Sequence, residues 1–379
     1  MDIAFVSNVV YPYVTGGAQK RIHEIGRRLA DKGHTVTVYG RHFWDGPKEI
    51  THEGMTLRAV SPERDIYTDD RRSITEAIEF AVDLFAPLRR QIDTHDVVDA
   101  SVFPYFPVLT AKGSTLFVDT PLVTTWHEVW GAYWADYLGR LAPFGNAVER
   151  ATAAVPQHPV AVSAVTADRL ARIGPPREQI TVVPNGVSVD EIAAVPPAEE
   201  GFDVLFAGRH TPDKNIDVLI EAFDRIADDH DATLGIIGEG PETDRLQKRA
   251  DRLATADRIT FLGFLDEYED VIAHMHAADV FASASTREGF GITFVEAMAT
   301  DCTVVAAEHP DSAATEVVGD AGFLPAPTVD AFATTLDRVL AGDRPPEDPV
   351  AAARQYDWDV IADRMAELYR ETYQMCGIT

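Results

Sequence analysis

The sequence predicts an α/β protein built from two doubly wound domains. Three observations point there. The chain has 379 residues, too many for one ordinary core and enough for two domains of about 150–200 residues each. From the first residues onward, short apolar runs of strand length alternate with amphipathic helical stretches, the rhythm of βαβ units in a parallel sheet. That rhythm breaks at a polar stretch near the middle of the chain, where Pro196-Pro197 and Glu199-Glu200-Gly201 fall, and then begins again.

The elements follow in order. Asp2-Ile3-Ala4-Phe5-Val6 reads as a strand; no basic segment precedes it, so it is not read as a signal peptide. The loop after it contains Pro12 and the pair Gly16-Gly17. A helix then places Ile22, Ile25, Leu29 and Ala30 on one face and stops at Lys32-Gly33. Residues 35–39 are the next strand, and right-handed crossover follows from strand, helix, strand in about 40 residues. Val97-Val98, residues 122–126 before His127, residues 159–163 and residues 180–183 continue the series. Ser163 or Thr166 can cap the helix after its strand. Pro184-Asn185-Gly186-Val187 is a turn signal. The expected division is a first domain over 1–190, a linker over 191–201, a second domain over 202–355 and a terminal helix over 356–379 that packs back across the junction.

The second series opens with Asp203-Val204-Leu205-Phe206-Ala207. Its first helix carries Ile216, Leu219, Ile220 and Phe223 on one face. Strands are expected at 233–237, 259–262, 280–284 and 303–306 with helices between them, and the last helix buries Ile361, Met365, Leu368 and Tyr369.

Charge narrows the partners. Asp plus Glu number 61 against 33 Lys plus Arg, a formal net charge of -28, and only six of the cations are lysines. A dispersed acidic surface poor in lysine suits high salt, where screening removes self-repulsion. It excludes a nucleic-acid partner, which needs a basic stripe. Cys302 and Cys376 make no disulfide framework and no Cys/His cluster has zinc spacing. No apolar run reaches the roughly 20 residues of a membrane span. A cytoplasmic, reduced protein is expected, with the inner face of the membrane also open to it. Lys20-Arg21, Arg27-Arg28 and Arg89-Arg90 are the basic doublets that could give weak peripheral membrane contact. Thr68-Asp69-Asp70 reads as solvated loop rather than a metal site.

Two segments carry the chemistry. In Phe206-Ala207-Gly208-Arg209-His210-Thr211-Pro212-Asp213-Lys214, a strand ends, Gly208 turns the backbone and two cations follow. Arg offers a planar fork of donors and Lys a compact charge, and together they match a diphosphate. Either could instead be a solvated loop charge. Their place at the carboxyl end of a sheet strand, where open α/β sheets bind ligands, favours the site. In Ser283-Ala284-Ser285-Thr286-Arg287-Glu288-Gly289-Phe290-Gly291-Ile292-Thr293-Phe294-Val295-Glu296, a strand runs through a Gly-containing turn into a helix. Exposed amides at that helix start can hold phosphate, and Glu288 and Glu296 can accept from sugar or ribose hydroxyls.

The run from Glu288 to Glu296 resembles the E-x7-E motif of family 4 glycosyltransferases. Gly16-Gly17, Val183-Pro184-Asn185-Gly186-Val187, Gly208-Arg209 with Lys214, Gly238-Glu239-Gly240-Pro241 and Leu262-Gly263-Phe264-Leu265 resemble other segments of that family, in order, over residues 16–299. The resemblance implies the GT-B fold, two Rossmann-like domains facing a central cleft, and transfer from a nucleotide diphosphate sugar with retained configuration, to a glycan or lipid-linked acceptor. It implies that Arg209 and Lys214 bind the diphosphate, that Glu288 faces the transferred sugar and that Glu296 holds the ribose. It also implies that Phe290, Gly291 and Ile292 offer amides, that Gly263 and Phe264 lie at the base, and that Gly16, Gly17, Asn185 and Gly208 belong to the donor site. His127 resembles a histidine of the acceptor domain that faces the donor sugar; the residues alone leave a structural histidine open. No metal or cofactor is implied. Two departures stand out. Pro310-Asp311-Ser312-Ala313 replaces a Gly-Gly pair before Glu316-Val317-Val318, and residues 299–305 lack the family's Gly and Pro. A nucleotide-sugar epimerase, a phosphorylase or a non-catalytic binding protein remains open on the same architecture. A dinucleotide oxidoreductase is disfavoured because no G-x-G-x-x-G follows the first strand.

Overall fold

The computed structural model describes residues 1–14, 16–68 and 71–377. Asp69 and Asp70, read above as solvated loop, lie outside the described residues. The chain divides into two compact units: Met1–Pro184 with Trp358–Thr379, and Asn185–Asp357.

The first unit runs β1 (Asp2–Val6), α1 (Gly17–Asp31), β2 (Thr35–His42), β3 (Glu49–His52), β4 (Met55–Pro62), the short pair β5 (Tyr67–Thr68) and β6 (Arg71–Arg72), and α2 (Ile74–Gln91). It continues with β7 (Val97–Ser101), α3 (Phe106–Ser114), β8 (Leu122–Trp126), α4 (Trp134–Leu138), α5 (Ala142–Ala154), β9 (His158–Ala161), α6 (Ala164–Ala171) and β10 (Thr181–Val182). Among the described residues the main sheet has the order β10-β9-β8-β7-β1-β2-β4-β3. All its neighbours are parallel except β3 and β4, an antiparallel hairpin turned at Glu53-Gly54, both with positive φ. Strand order reverses at β1, which lies between β7 and β2. Loops after β1, β7 and β8 therefore open at the crevice where doubly wound sheets bind ligands.

The second unit runs α7 (Val189–Ala194), β11 (Val204–Ala207), α8 (Ile216–His230), β12 (Leu234–Ile237), α9 (Thr243–Ala250), β13 (Ile259–Gly263), α10 (Tyr268–His276) and β14 (Val280–Ser283). It closes with α11 (Ile292–Ala299), β15 (Thr303–Ala306), α12 (Ala314–Val318), β16 (Gly322–Phe323), α13 (Val329–Leu340) and α14 (Pro349–Ala353). Its strands form one parallel sheet in the order β13-β12-β11-β14-β15-β16. The switch point lies at β11, between β12 and β14.

Burial follows the sequence periodicity. Ile216, Leu219, Ile220 and Phe223 of α8 are buried in the second core. Strands β11, β12, β14 and β15 are buried along their whole length, as continuous apolar strands covered on both faces should be. The stretch 191–201, expected as linker, begins inside α7, because Val189 and Ile192 lie one turn apart and both bury in the second unit.

The last helix, α15 (Trp358–Cys376), belongs to the first unit. Trp358, Ile361, Met365 and Tyr369 join Phe5, Ile25 and Leu29 in one core. A buried polar cluster fixes its register. Tyr369 Oη donates to Asp99 Oδ2 at 2.6 Å, and Thr125 Oγ1 donates to Asp99 Oδ1 at 3.1 Å. Arg21, fully enclosed, donates to the Pro184 carbonyl and lies 3.7 Å from Met365 Sδ. Burial lowers the Arg21 guanidinium to about 10 in spite of Asp99, and burial raises Asp99 in spite of the Tyr369 bond.

This enclosure corrects one expectation. Of the three basic doublets, two are engaged within the fold. Arg21 is buried, Arg27 bonds Glu24 at 2.8 Å, and Arg28 bonds Asp359 at 2.6 Å. An amphipathic helix turns such residues inward or pairs them with neighbours one turn away, so adjacency in sequence does not make a surface patch. No described helix is long and apolar enough to cross a membrane.

Tyr369→Phe removes the hydroxyl that Asp99 accepts from and leaves the carboxylate half-satisfied. We expect it to lower unfolding stability by about 1–3 kcal/mol, read from urea denaturation; an unchanged midpoint would show that the bond does not hold α15.

Candidate active site

In the second unit the two loops flanking the switch strand are joined. Asn215 sits at positive φ at the start of α8, and its Nδ2 donates to the Ala284 carbonyl at 3.2 Å and to Thr286 Oγ1 at 3.3 Å. The Thr286 amide donates to the Asp213 carbonyl at 2.9 Å. The loop after β11 is thereby held against the loop after β14. Lys214 Nζ meets Glu288 Oε1 at 2.5 Å, both largely covered. Arg209 is exposed on the same loop, and its side chain makes no hydrogen bond or ion pair among the described residues. Two cations and one carboxylate thus converge at the carboxyl ends of β11 and β14.

The local backbone explains why these residues arrive there. Gly238, at φ +114, packs so close that an added Cβ would lie 2.1 Å from the Gly208 carbonyl oxygen, so the turn after β12 needs glycine to let β11 leave the sheet. Gly291, at φ +82, starts α11; a Cβ there would lie 2.5 Å from the Phe294 ring. The Phe294 amide donates to the Gly291 carbonyl at 3.0 Å, so the amides of Ile292 and Thr293 ahead of it are the open donors of the α11 start among the described residues. Phe290 is buried against Tyr356, with ring centroids 5.5 Å apart.

Glu296 is buried on α11, and Tyr268 Oη of α10 donates to its Oε1 at 2.9 Å. The sequence reading missed Tyr268. A tyrosine at the first helical position after Glu267 carries no signal until α10 is laid beside α11. Gly263 ends β13 at positive φ, and its carbonyl accepts from the Gly238 amide at 2.7 Å; Phe264 follows, exposed.

The replaced loop lies against the same carboxylate. Glu288 forms a parallel bridge with Ser312, and its carbonyl accepts from the Ala313 amide at 3.0 Å. The Pro310-Asp311-Ser312-Ala313 segment therefore braces the backbone of Glu288.

Three of the remaining candidates lie in the first unit and one opens the second. Gly16 and Gly17 are exposed at the start of α1, after β1. Asn185 is half-buried at the first residue of the second unit. His127 follows β8 and lines a small hollow whose other walls are Arg21, Asp99, Ser101 and Thr125 on one hand and Phe5, Ile22 and Ile25 on the other. Its Nε2 is covered and bonds no described residue. Burial, with the Arg21 charge second, pushes its imidazole down to about 3, so it is neutral at any working pH. A neutral imidazole can share a hydrogen bond with a ligand hydroxyl; it cannot deliver a proton as an acid. Among the described residues no group of three or more His, Cys, Asp or Glu could hold a metal ion.

The two parallel sheets and the joined loops after β11 and β14 fit a glycosyltransferase of GT-B architecture, the class that the comparisons with known proteins show. Residues 15–191 match Glycosyltransferase Family 4, and residues 189–356 match Glycosyl transferases group 1. In tandem the two matches span residues 15–356, and the chain is a glycosyltransferase with a segment similar to family 4 in its first half and one similar to group 1 in its second. Over an alignment of 397 positions it is 29% identical to the glycogen synthase of Mycobacterium tuberculosis, covering 97% of this chain and 94% of that one. The sucrose-phosphate synthase of Thermosynechococcus elongatus superposes with a TM-score of 0.76 at 19% identity, over 99% of both chains. Anabaena HepE, solved in complex with UDP-glucose, superposes with a TM-score of 0.70 at 20% identity, over 98% of this chain and 100% of that one.

The depressed pKa of His127 sets a pH window for stability. The unfolded chain takes up the proton from about 6.5 downward, the folded chain only near 3. Between those values the unfolded state binds more protons, so stability falls as the pH drops. We expect the melting temperature to decline from pH 7 to pH 4, and His127→Gln to flatten part of that decline; a variant with the parent's pH profile would show that His127 titrates normally.

Proposed function

We propose that the chain is a retaining enzyme that moves a hexosyl group from a nucleoside diphosphate sugar to a hydroxyl of a glycan or lipid-linked acceptor. The observation that carries this is the Lys214–Glu288 pair beside the unpaired Arg209. A diphosphate entering the loops would be met by the Arg209 fork and would compete with Glu288 for the Lys214 ammonium. Glu288, released, would accept from hydroxyls of the bound sugar. Glu296, buried and held by Tyr268, would accept from the ribose, and the amides at Gly291 and Ile292 would meet phosphate oxygens. Gly263 and Phe264 would border the base, with Asn185 and Gly208 shaping the same site. In the first unit, Gly16, Gly17 and His127, through its covered and unpartnered Nε2, would face the donor sugar.

The chemistry follows from the groups present. The bond from the anomeric carbon to the diphosphate oxygen breaks, and the acceptor oxygen forms a new bond on the same face. The acceptor proton passes to the leaving phosphate oxygen. Arg209 and Lys214 stabilise the charge that grows on that oxygen. Two cations aimed at the diphosphate can do what a divalent ion does in other transferases, so we infer that no metal is required. Excess EDTA should leave the rate unchanged.

We expect Arg209→Ala and Lys214→Ala each to lower kcat/KM by about 10²–10³-fold, the usual cost of losing one transition-state donor. Glu296→Ala should raise the donor KM far more than it lowers kcat. Full activity in Glu288→Gln would remove that carboxylate from the chemistry. Product NMR should show the anomeric configuration of the donor; inversion would overturn the retaining assignment.

The charge excess bears on working conditions. We infer that the chain is adapted to high salt, because 61 acidic residues against 33 basic ones repel one another until ions screen them. The melting temperature should rise as potassium chloride is raised from 0.1 M to 2 M. A fall over that range would count against the adaptation. The same titration, run with UDP- and GDP-sugars, identifies the donor by its stabilisation of the fold.

A further inference from the structure

The first unit holds an apolar pocket that the donor chemistry does not use. Its walls include Ile74 and Ala77 of α2, Phe106 of α3, Trp134 and Leu138 of α4 and Phe144 of α5, around about 480 Å³ that opens to solvent. Phe103, Pro104 and Tyr105, in the loop after β7, complete it. It stands on the same carboxyl-end loops as His127: the Tyr105 ring lies 6.1 Å from that of Trp126, the residue before His127.

We propose that this pocket binds a single hydrocarbon chain, the apolar tail of a lipid-linked acceptor. The word acceptor rests on the transferase reading; the chain binding rests on the lining. The polar side chains of the lining are Ser73, Tyr105, Trp134 and Tyr137, and the first three have their hydrogen-bonding atoms engaged, which leaves a sugar few partners. Ser73 Oγ accepts from the Glu76 amide. Tyr105 Oη and Trp134 Nε1 donate to the buried Glu149 at 2.8 Å and 3.1 Å, turned away from an incoming ligand. The Glu149 carboxylate also accepts from the amides of Trp130 and Gly131, so it is fully occupied in holding the loop. A sugar placed here would have to leave hydroxyls unpaired among these walls. A methylene chain loses nothing.

The pocket does not end at its mouth. Phe106 also lines a groove between α2 and α3 whose other walls include Ile78, Val82, Phe85 and Leu109. Ile74, Ile78, Val82 and Phe85 are exposed and recur at helical spacing on one face of α2. From Ile74 to Phe85 the stripe runs roughly 16 Å at 1.5 Å per residue, a length that suits an acyl or prenyl chain rather than a short aglycone. Exposed apolar side chains are ordinary when scattered, but a contiguous stripe marks an interaction site. Arg89 lies one turn beyond Phe85 on that face, and Arg90 follows it, exposed. On a chain of net charge -28, a stripe with no acidic residue on its line and a basic pair at its end complements a phosphate-bearing head group.

The test uses alkyl maltosides below their micelle concentrations, titrated into the full chain by calorimetry, with free maltose as the chainless probe. Affinity should rise in steps from octyl to decyl to dodecyl maltoside, with a negative heat-capacity change. Phe144→Asp and Ile78→Asp, both at exposed positions that tolerate a charge, should weaken dodecyl maltoside at least tenfold, and Phe144→Leu should restore it. Affinity independent of chain length, or parent-like binding in both aspartate variants, would overturn the proposal. So would binding to phosphatidylcholine vesicles, lost in those variants, without any binding of monomeric dodecyl maltoside; that result would make the stripe a bilayer-docking face. If no nucleotide sugar binds the wild-type chain, the transferase reading fails while the chain-length series still decides this one.

Discussion

The candidate site depends on one join between two loops that are far apart in sequence. Asn215 ties the loop after β11 to Ala284 and Thr286 after β14, and Thr286 returns a bond to Asp213. Parallel pairing makes the join possible, because β11 and β14 are neighbours in the sheet although two strands and three helices separate them in the chain. Without it, Lys214 and Glu288 would be two solvated side chains on independent loops, a kind of pair worth little. With it, they are preorganised and largely desolvated. Ser312 and Ala313 brace Glu288 from the other side. The positions given up by a Gly-Gly pair are therefore structural here, fixing a carboxylate by its backbone.

The first unit solves a different problem, holding charge inside a core. Arg21, Asp99 and Tyr369 come from α1, β7 and α15; the Tyr369–Asp99 bond and the contact of Arg21 with Met365 set how the last helix lies on the sheet. A buried cation has an electrostatic reach that a surface one lacks. Arg21 helps keep the His127 imidazole neutral, so the residue best placed to meet a ligand hydroxyl also cannot become charged and repel or mispair with it. Structure and chemistry share one set of residues there.

Much of this was legible in the sequence. The βαβ rhythm picked out most strands of both sheets, because buried parallel strands are continuous apolar runs, but it missed β3, β4 and β16, and β2 and β7 run three residues further than expected. Arg209, Lys214 and Glu288 could be picked out by their place after strand ends, and Glu296 by its spacing from Glu288. What escaped was whatever needs two elements side by side. Tyr268 became visible only when α10 lay along α11. Glu149 reads as a surface residue of α5 until four donors from Tyr105, Trp130, Gly131 and Trp134 are seen to converge on it. Helix α2 went unread in the sequence, although Ser73 stands three residues before Glu76, a capping-box spacing. Here only half of that box forms: Ser73 caps the Glu76 amide, while the Glu76 carboxylate pairs with the buried Arg41 at 2.6 Å and accepts from Asn8. The basic doublets misled for the same reason, since sequence shows that Arg21 and Arg28 are charged but not which way their faces turn.

The acidic surface and the cationic site appear to conflict, since a net charge of -28 repels the diphosphate that Arg209 and Lys214 attract. Distance resolves the conflict. At about 0.1 M ionic strength the Debye length is near 10 Å, and many surface carboxylates act on an approaching anion together. At about 1 M it shrinks to near 3 Å, shorter than the gap to most of them and about the length of a direct hydrogen bond. High salt therefore erases the repulsive field while leaving contact interactions at Arg209, Lys214 and the start of α11 nearly intact. The same argument favours an apolar handle over a basic one for any lipid-borne ligand, since burial of hydrocarbon is strengthened by excluded salts when long-range attraction is lost. Two of the three basic doublets are engaged within the fold, whereas the stripe on α2 keeps its apolar side chains exposed.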